Sequence, residues 1–397
     1  MRIWPQTMSS WRTLCEIVFW LCGFALLYVY AGYPILLAVL SRFVDREPAE
    51  LGYAPCVSVL IAAYNERSNI RRKIEQTLET DYPPERLEII VASDGSTDGT
   101  DGIVKSIQDP RVKLVRVEGR RGKTHVQNEA VRHCNGEYIV FSDATTIYHP
   151  LSLRYLAANY QDADVGAVSG RYQYFDTNGG SPTGLGTIAF WNYENLIKRF
   201  QSKIRTISGC CGCIYSVRKT AYTDLADEVI SDLVQPLHII KKGFRVVFEE
   251  RALAFEETTQ TASQEFKMRV RVVTRGMRGI LSVPELLNPW RYGWISFQLI
   301  CHKVLRWLVG LFLLGALVSN CFLIDRSFFM ATMALQSSFY LTALLSLVTP
   351  LHKKSRILGV PLYFCILNTA AVVSLVEILR GRKYVVWETV RTEGVVR

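Results

Sequence analysis

The sequence predicts an α/β domain that lies between membrane-spanning helices at both ends of the chain. Residues 17–40 carry no charged side chain, and at about 1.5 Å per residue they are long enough to cross about 30 Å of hydrocarbon. Three further apolar segments, at 304–324, 328–348 and 357–379, occupy the C-terminal part of the chain. Between them, short apolar runs alternate with stretches of helical periodicity, which is typical of an α/β domain.

These features divide the chain into five parts. The predicted order is an N-terminal transmembrane helix over 14–42, an α/β domain over 50–288, an interfacial segment over 289–303, three C-terminal transmembrane helices over 304–380 and a tail over 381–397. The interfacial segment is aromatic and basic around Trp290 and Arg291, which favours a position along the membrane surface. Arg306 lies just inside the first C-terminal span, where its side chain can extend to the interface.

The positive charges indicate which side of the membrane holds the domain. Arg291, Lys303 and Arg306 favour a cytosolic position for the middle of the chain. The last span then carries Arg380 and Lys383 to the opposite side, against the positive-inside rule, so the sequence leaves the side of the tail open. The net charge of +10 fits an anionic membrane surface or phosphorylated substrates, and with membrane spans present it does not favour nucleic acid.

Polar side chains follow three of the predicted strands. Apolar, β-branched runs predict strands over 56–64, 87–94, 112–118, 137–143 and 165–175. Strands that alternate with helices form a mostly parallel sheet, and such sheets bind ligands at the carboxyl ends of their strands. The polar residues expected at that edge are Asn65, Glu66, Asp94 and Asp143.

Four charged residues are candidates for chemistry. Asp143 ends an apolar strand, where a buried carboxylate is costly unless it binds a cation or several donors. Asp94 opens the turn DGSTDGT and can bond a base or ribose edge, although a structural Asx turn gives the same pattern. Lys123, in GRRGKT, suits either a diphosphate or a solvated turn. Asp232 precedes a helical run, where it can act as an N-cap.

Six motifs occur in a recognisable order: AAYNE, ASDGSTDGT, GRRGKT, FSDATT, SGCCGCIYSVRK and ISDL. This set resembles the inverting family 2 glycosyltransferases, whose catalytic domain has the GT-A (nucleotide-diphospho-sugar transferase) fold. Cellulose, chitin and hyaluronan synthases are membrane-embedded members of that family. The resemblance covers residues 55–280, and the flanking apolar segments agree with the membrane-bound branch.

The resemblance implies a role for each matching residue. Asp143 is then the first aspartate of a DxD motif that holds Mg²⁺ or Mn²⁺, and Asp232 is the general base of a hexosyltransferase-type enzyme. A base on the face opposite the leaving group inverts the anomeric centre. Donor-binding roles fall to residues that line the nucleotide pocket, contact the base or face the diphosphate: Ala63, Asn65, Glu66, Asp94 and Lys123.

Two departures from the family pattern affect these expectations. The metal motif is Asp143-Ala144-Thr145, so its second carboxylate is missing, and either the metal site is weaker or Thr145 contacts the metal through water. The QxxRW motif of processive synthases is absent, and a helical segment that carries Arg271, Arg275 and Arg278 on one face takes its place. These arginines can hold the donor diphosphate, the phosphates of a lipid-linked acceptor or lipid headgroups, or the segment is a basic helix resting on the membrane.

The sequence therefore predicts an integral membrane glycosyltransferase of cell-surface glycan synthesis. We expect a nucleotide-sugar donor (a UDP-sugar), a lipid-linked or glycan acceptor, contact with membrane lipids and no nucleic-acid partner. The expected location is the bacterial inner membrane, with the catalytic domain in the cytosol. The alternatives are a processive polysaccharide synthase and a non-catalytic scaffold that binds nucleotide sugars; four spans are few for a self-contained polymer channel.

Overall fold

The computed structural model describes residues 4–175, 184–257, 261–350 and 355–386. Within these ranges the strands form one mixed sheet. Its strands are β1 (Val57–Ala63), β2 (Leu87–Asp94), β3 (Val112–Val117), β4 (Tyr138–Asp143), β5 (Ile147–Tyr148), β6 (Val165–Phe175), β7 (Ile214–Arg218) and β8 (Arg245–Glu257). They lie in the order β3-β2-β1-β4-β7-β6-β8-β5.

The pairing of the strands places the carboxyl ends of β1, β2 and β4 at one edge. β1 is parallel to both β2 and β4, and β2 is parallel to β3. Every residue of β1 is buried, as expected for a central strand covered on both faces, whereas the edge strand β3 has no buried residue. β7 runs antiparallel to β4 and β6, and β8 is parallel to β6 and antiparallel to β5.

The predicted fold class is confirmed, and the structure adds three strands to the five expected. The helices that cover the sheet or follow it are α3 (Ile70–Leu78), α4 (Thr100–Lys105), α5 (Lys123–Val131), α6 (Ser152–Ala158), α7 (Gly184–Ile204), α8 (Ser231–Lys241) and α9 (Ala262–Leu281). All ten cysteines are free, and Cys210, Cys211 and Cys213 of the segment CCGC are buried.

The apolar helices lie at both ends of the chain. They are α1 (Trp4–Leu27) and α2 (Tyr33–Ser41), then the short α10 (Pro289–Tyr292), α11 (Trp294–Gln298) and α12 (Leu305–Trp307), then α13 (Val309–Cys321), α14 (Ser327–Val348) and α15 (Gly359–Leu379). By length and composition, three helices of the described chain can span a membrane: Ser10–Ser41, Ser327–Val348 and Gly359–Leu379. A bent pair, Trp294–Trp307 and Val309–Cys321, meets at 53° and is a candidate fourth span.

A buried charge cluster joins α7 to the beginning of the bent pair. Glu194 of α7 is 5% exposed and forms an ion pair with Arg306. His302 Nε2 and Lys303 Nζ lie 3.2 and 3.7 Å from the same carboxylate. The guanidinium of Arg306 turns toward Glu194 and lies 4.8 Å from the centre of the Phe190 ring, and its extension to the membrane interface stays a prediction.

The C-terminal helix α15 contacts the α/β domain at both of its ends. The hydroxyl of Tyr363, near its start, accepts a hydrogen bond from Arg269 of α9 at 2.8 Å. After its end, the carbonyl of Arg382 accepts from Arg278 of α9 at 2.7 Å. The segment that follows α15 therefore lies on the side of the domain, a point that the sequence left open. Residues 387–397 of the predicted tail lie outside the described residues.

Candidate active site

The loops after β1 and β2 are tied together by hydrogen bonds. The N–H of Asn65 donates to Ser96 Oγ at 3.1 Å, and Asn65 Oδ1 accepts from the N–H of Thr97 at 2.9 Å. The N–H of Glu66 donates to Thr100 Oγ1 at 2.9 Å. Asn65 has a φ of 52°, a left-handed conformation that asparagine tolerates better than most residues. The two loops form one wall at the sheet edge where the sequence predicted a nucleotide pocket.

Asp94 anchors the loop of residues 118–122 that leads to Lys123, which we call the basic loop. Ala63 and Asp94 end the neighbouring strands β1 and β2, and both are fully buried. Asp94 Oδ1 accepts from the N–H of Arg121 at 2.7 Å, and Oδ2 accepts from the N–H of Gly122 at 2.9 Å. Backbone donors to both oxygens satisfy a buried carboxylate. Asp94 thus fixes the position of the basic loop, and its contact with a base stays a prediction.

Lys123 connects three separate parts of the chain. Its Nζ forms an ion pair with Asp143 Oδ1 at the end of β4, and it lies 3.4 Å from the carbonyl oxygen of Gly212. The side chains of Lys123 and Asp143 are 21% and 31% exposed, so the pair is accessible from the sheet edge. Burial lowers the pKa of Lys123, but the charges of Asp143 and Asp232 outweigh it and the pKa is raised. The ion pair with Asp143 thus favours the charged form of the lysine.

Asp232 lies on the other side of Gly212. A Cβ atom at Gly212 would be 2.6 Å from Asp232 Oδ2, so only glycine lets this carboxylate approach the backbone that Lys123 contacts. Burial raises the pKa of Asp232, and the charges of Lys123 and Lys198 only partly oppose the rise. Asp232 is not the N-cap of α8, which is Ile230.

The structure thus links the three acidic residues singled out in the sequence. Asp94 holds the loop of Lys123, Lys123 pairs with Asp143, and Gly212 lies between Lys123 and Asp232. Their catalytic and binding roles stay predictions.

The arginines of α9 have protein partners in this structure. Arg275 is buried, and its Nη2 donates to Thr124 Oγ1 at 2.8 Å and to the carbonyl of Val229 at 2.5 Å. These bonds tie α9 to the start of α5 and to the segment before α8, so Arg275 helps to fix the positions of Lys123 and Asp232. Burial lowers the pKa of Arg275 to about 10, and the neighbouring charge of Arg271 acts in the same direction. Contact of Arg271 and Arg275 with the donor stays a prediction.

Three buried charged residues near the site were missed by the sequence analysis. Lys73 of α3 is 2% exposed, Lys198 of α7 is 3% exposed with its Nζ 3.0 Å from Cys211 Sγ, and Glu256 of β8 is 5% exposed. One of them had a detectable signal: Lys73 falls between Ile70 and Ile74 on the apolar face of its helix.

The residues at Asp143 are chemically suited to a divalent cation. In the part of the chain that the structure describes, no three His, Cys, Asp or Glu side chains form a metal cage. Asp143 offers one carboxylate and Thr145 one hydroxyl, which suits Mg²⁺ or Mn²⁺ when substrate phosphates supply further oxygens. The ammonium of Lys123 already occupies the place of a cation at this carboxylate. The residues therefore fit a metal that arrives together with a diphosphate.

The segment after α15 covers the loop that Asp94 anchors. Lys383 Nζ forms an ion pair with Glu228 at 2.8 Å, four residues before Asp232. Val385 packs on Gly122, where a Cβ atom would overlap the carbonyl oxygen of Val385. The chain end therefore contacts both the basic loop and the segment that leads to α8.

Part of the domain matches the model of a known protein family. Residues 58–226 match the model of the family described as Glycosyl transferase family 2. This match confirms the family resemblance; the motif ISDL, at residues 230–233, lies beyond the matched range.

Curated relatives align with part of the chain. A poly-β-1,6-N-acetyl-D-glucosamine synthase of Staphylococcus epidermidis is 28% identical over 232 residues, and one of Staphylococcus aureus is 26% identical over 232 residues. Each alignment covers 57% of this chain and 55% of the relative, so the chain matches about half the length of these proteins.

A solved structure has the same fold over nearly the whole chain. The mannosyltransferase PcManGT from Pyrobaculum calidifontis, in complex with GDP-Man and Mn²⁺, superposes with a TM-score of 0.72 at 20% identity. The match covers 93% of this chain and 99% of that one, so it extends beyond the α/β domain to the apolar helices.

Replacing Gly122 tests the geometry of the basic loop. Gly122 has a φ of 99°, and G122A adds both backbone strain and an overlap with Val385. We expect a loss of about 1–3 kcal/mol in unfolding free energy, measured by thermal unfolding in detergent, and weaker nucleotide binding. G102A is the control, because a Cβ atom at Gly102 in α4 meets nothing within 4 Å. Equal stability of G122A and wild type would contradict the geometry of this loop.

Proposed function

We propose that this protein, which contains a family 2 glycosyltransferase domain with a GT-A fold, is a membrane-embedded inverting glycosyltransferase that moves a sugar from a nucleotide-sugar donor to an acceptor in cell-surface glycan synthesis. One observation carries the proposal. Lys123, Asp143 and Asp232, which are distant in the sequence, lie around Gly212 at the carboxyl edge of the sheet. The ammonium beside Asp143 can offset the charge of a diphosphate leaving group, and Asp232, on the other side of Gly212, can accept the proton of an acceptor hydroxyl.

The donor diphosphate is proposed to bind between the basic loop and the end of β4. A bound Mg²⁺ or Mn²⁺ would offset the negative charge of the leaving nucleoside diphosphate. Asp143 and Thr145 would hold that cation, and Lys123 would turn from Asp143 to a phosphate oxygen. The wall formed by Asn65 and Ser96 would take the nucleoside of a UDP-sugar.

Asp232 is proposed to be the general base. It would accept the proton of the acceptor hydroxyl while the hydroxyl oxygen bonds to the anomeric carbon and the bond from that carbon to the diphosphate breaks. Attack from the face opposite the leaving group inverts the anomeric centre. Burial raises the pKa of Asp232, which makes it a stronger base than a solvent-exposed aspartate.

The membrane-facing helices suggest where the acceptor comes from. We propose a lipid-linked or glycan acceptor, because α7 joins the domain directly to the membrane helices through Glu194 and Arg306. The proposed location is the bacterial inner membrane, with the domain in the cytosol and membrane lipids around the apolar helices.

A second candidate function is processive polysaccharide synthesis. It is favoured by the curated relatives, which are named as synthases of a β-1,6-linked polymer. The absence of a QxxRW motif favours single transfer instead. The length of the product made from one labelled acceptor separates the two: one added sugar supports single transfer, and a ladder of products supports the synthase.

Replacement of the proposed base should separate catalysis from binding. We expect D232N to lower kcat by about 10²–10⁴-fold, the usual contribution of a general base, while nucleotide affinity measured by calorimetry stays within a factor of two or three. D227N is the control, since Asp227 lies near the same helix and pairs with His125 at 3.2 Å. A parallel loss of turnover and nucleotide affinity in D232N would rule out this role.

The acid limb of the pH profile should report the pKa of Asp232. Because burial raises that pKa, the base becomes protonated, and activity falls, at a higher pH than for a free aspartate with a pKa of about 3.9. Lys198 lowers the pKa of Asp232 by its charge, so K198M should move the acid limb of kcat further upward. An acid limb that moves downward, or not at all, in K198M would show that another group titrates.

A further inference from the structure

The residue in place of the missing second carboxylate is bonded to another acid. Thr145 Oγ1 donates a hydrogen bond to Glu256 Oε1 at 3.0 Å, across 111 residues of sequence. The proton of the hydroxyl is used in this bond, so the lone pairs of the oxygen are directed elsewhere. A hydroxyl bonded to a carboxylate also carries more negative charge on its oxygen than a free one. Thr145 is therefore oriented and polarised as an oxygen ligand.

The strand pairing places Glu256 next to the metal loop, which is the segment Asp143–Thr145 after β4. β5 follows the loop directly and pairs with β8, with Ile147 opposite Phe255. The next residue of β8 is Glu256, and the hydroxyl of Tyr172 on β6 donates to its other oxygen. The carboxylate is 5% exposed, so it is fixed by strands on both sides and not by solvent. Because Glu256 is held in place, its hydrogen bond with Thr145 restricts rotation of the Thr145 side chain.

Lys123 and Lys73 both lie close enough to Asp143 to feel its negative charge. Lys123 pairs with Asp143 from the side of the basic loop. The Nζ of Lys73 is buried without a hydrogen-bond partner among the described residues and lies 3.5 Å from the centre of the Tyr148 ring. Burial lowers the pKa of Lys73 to about 7, while Asp143 and Glu256 are among the groups that oppose this shift. Lys123 therefore supplies the counter-charge at Asp143, and Glu256 is held by its hydrogen bonds from Thr145 and Tyr172.

We infer that Glu256 is a positioning residue for the divalent cation: acting through Thr145, it supplies the negative charge that the second carboxylate of a complete DxD motif would give. The inference rests on the proposed function, because it assumes that Asp143 and Thr145 hold a metal together with a nucleoside diphosphate. It explains how a motif with one carboxylate serves a metal site: the second charge comes from β8 and reaches the metal through a hydroxyl.

The test measures metal affinity and does not depend on turnover. Binding of Mn²⁺ to the full-length protein in detergent, with UDP or GDP present, is followed by the electron paramagnetic resonance signal of free Mn²⁺. We expect E256Q to weaken Mn²⁺ binding by about 10–100-fold, as loss of a partner of a metal ligand usually does. T145V removes the hydroxyl and keeps Glu256, so it should cause a similar loss. E250Q, which removes an exposed acid from the same strand, should bind Mn²⁺ like wild type.

Moving the carboxylate from position 256 to position 145 distinguishes a role of Glu256 in metal binding from a purely structural role. The double variant T145D/E256Q moves the carboxylate from β8 into the metal loop and should restore Mn²⁺ affinity to within a few-fold of wild type. If E256Q and T145V both keep wild-type affinity while D143N loses it, the inference is wrong and the proposed metal site stands. If D143N also keeps wild-type affinity, the proposed metal site itself is wrong. If E256Q fails to fold, T145V and T145D/E256Q decide: no loss in the first, or no recovery in the second, overturns the inference.

Discussion

The ion pair between Lys123 and Asp143 is the contact on which the organisation of the candidate site depends. It joins the basic loop, held by Asp94 through two backbone N–H groups, to the end of β4. The same lysine reaches the carbonyl of Gly212, against which Asp232 packs. In the proposed reaction, Lys123 would turn from Asp143 to a phosphate oxygen when the metal and the diphosphate bind, so the same charge would serve both partners.

The same domain is attached to its membrane helices by buried polar contacts. Glu194 of α7 gathers three basic side chains from the bent segment before α13, and such a cluster resists separation because each unpaired charge would be costly to bury. α9 contributes on the other side, where Arg269 and Arg278 bond to both ends of α15. Arg275 of the same helix contacts Thr124, next to Lys123. Helix α9 thus connects the membrane helices to the loop that is proposed to face the diphosphate.

The sequence predicted those features that depend on local pattern. β1, β2 and β4 are largely apolar runs that end in an aspartate or, for β1, lead to Asn65 and Glu66, and they fold as expected because central parallel strands are buried on both faces. β7 and β8 escaped prediction, because they join the sheet by pairing with strands far away in the chain. The same limit applies to side chains. Arg306 pairs with Glu194 across 112 residues, and Glu256 is linked to Thr145 across 111 residues; no local pattern encodes either contact.

The most direct measurement of the central claim is thermal unfolding of the purified protein with nucleotide sugars, in Mn²⁺ or in EDTA. We predict that a nucleotide sugar stabilises the protein only when the metal is present, by about 2.7 kcal/mol at a concentration one hundred times its Kd, and that D143N loses this effect. Stabilisation of equal size in EDTA, or in D143N, would contradict a site in which Asp143 holds a cation beside the diphosphate.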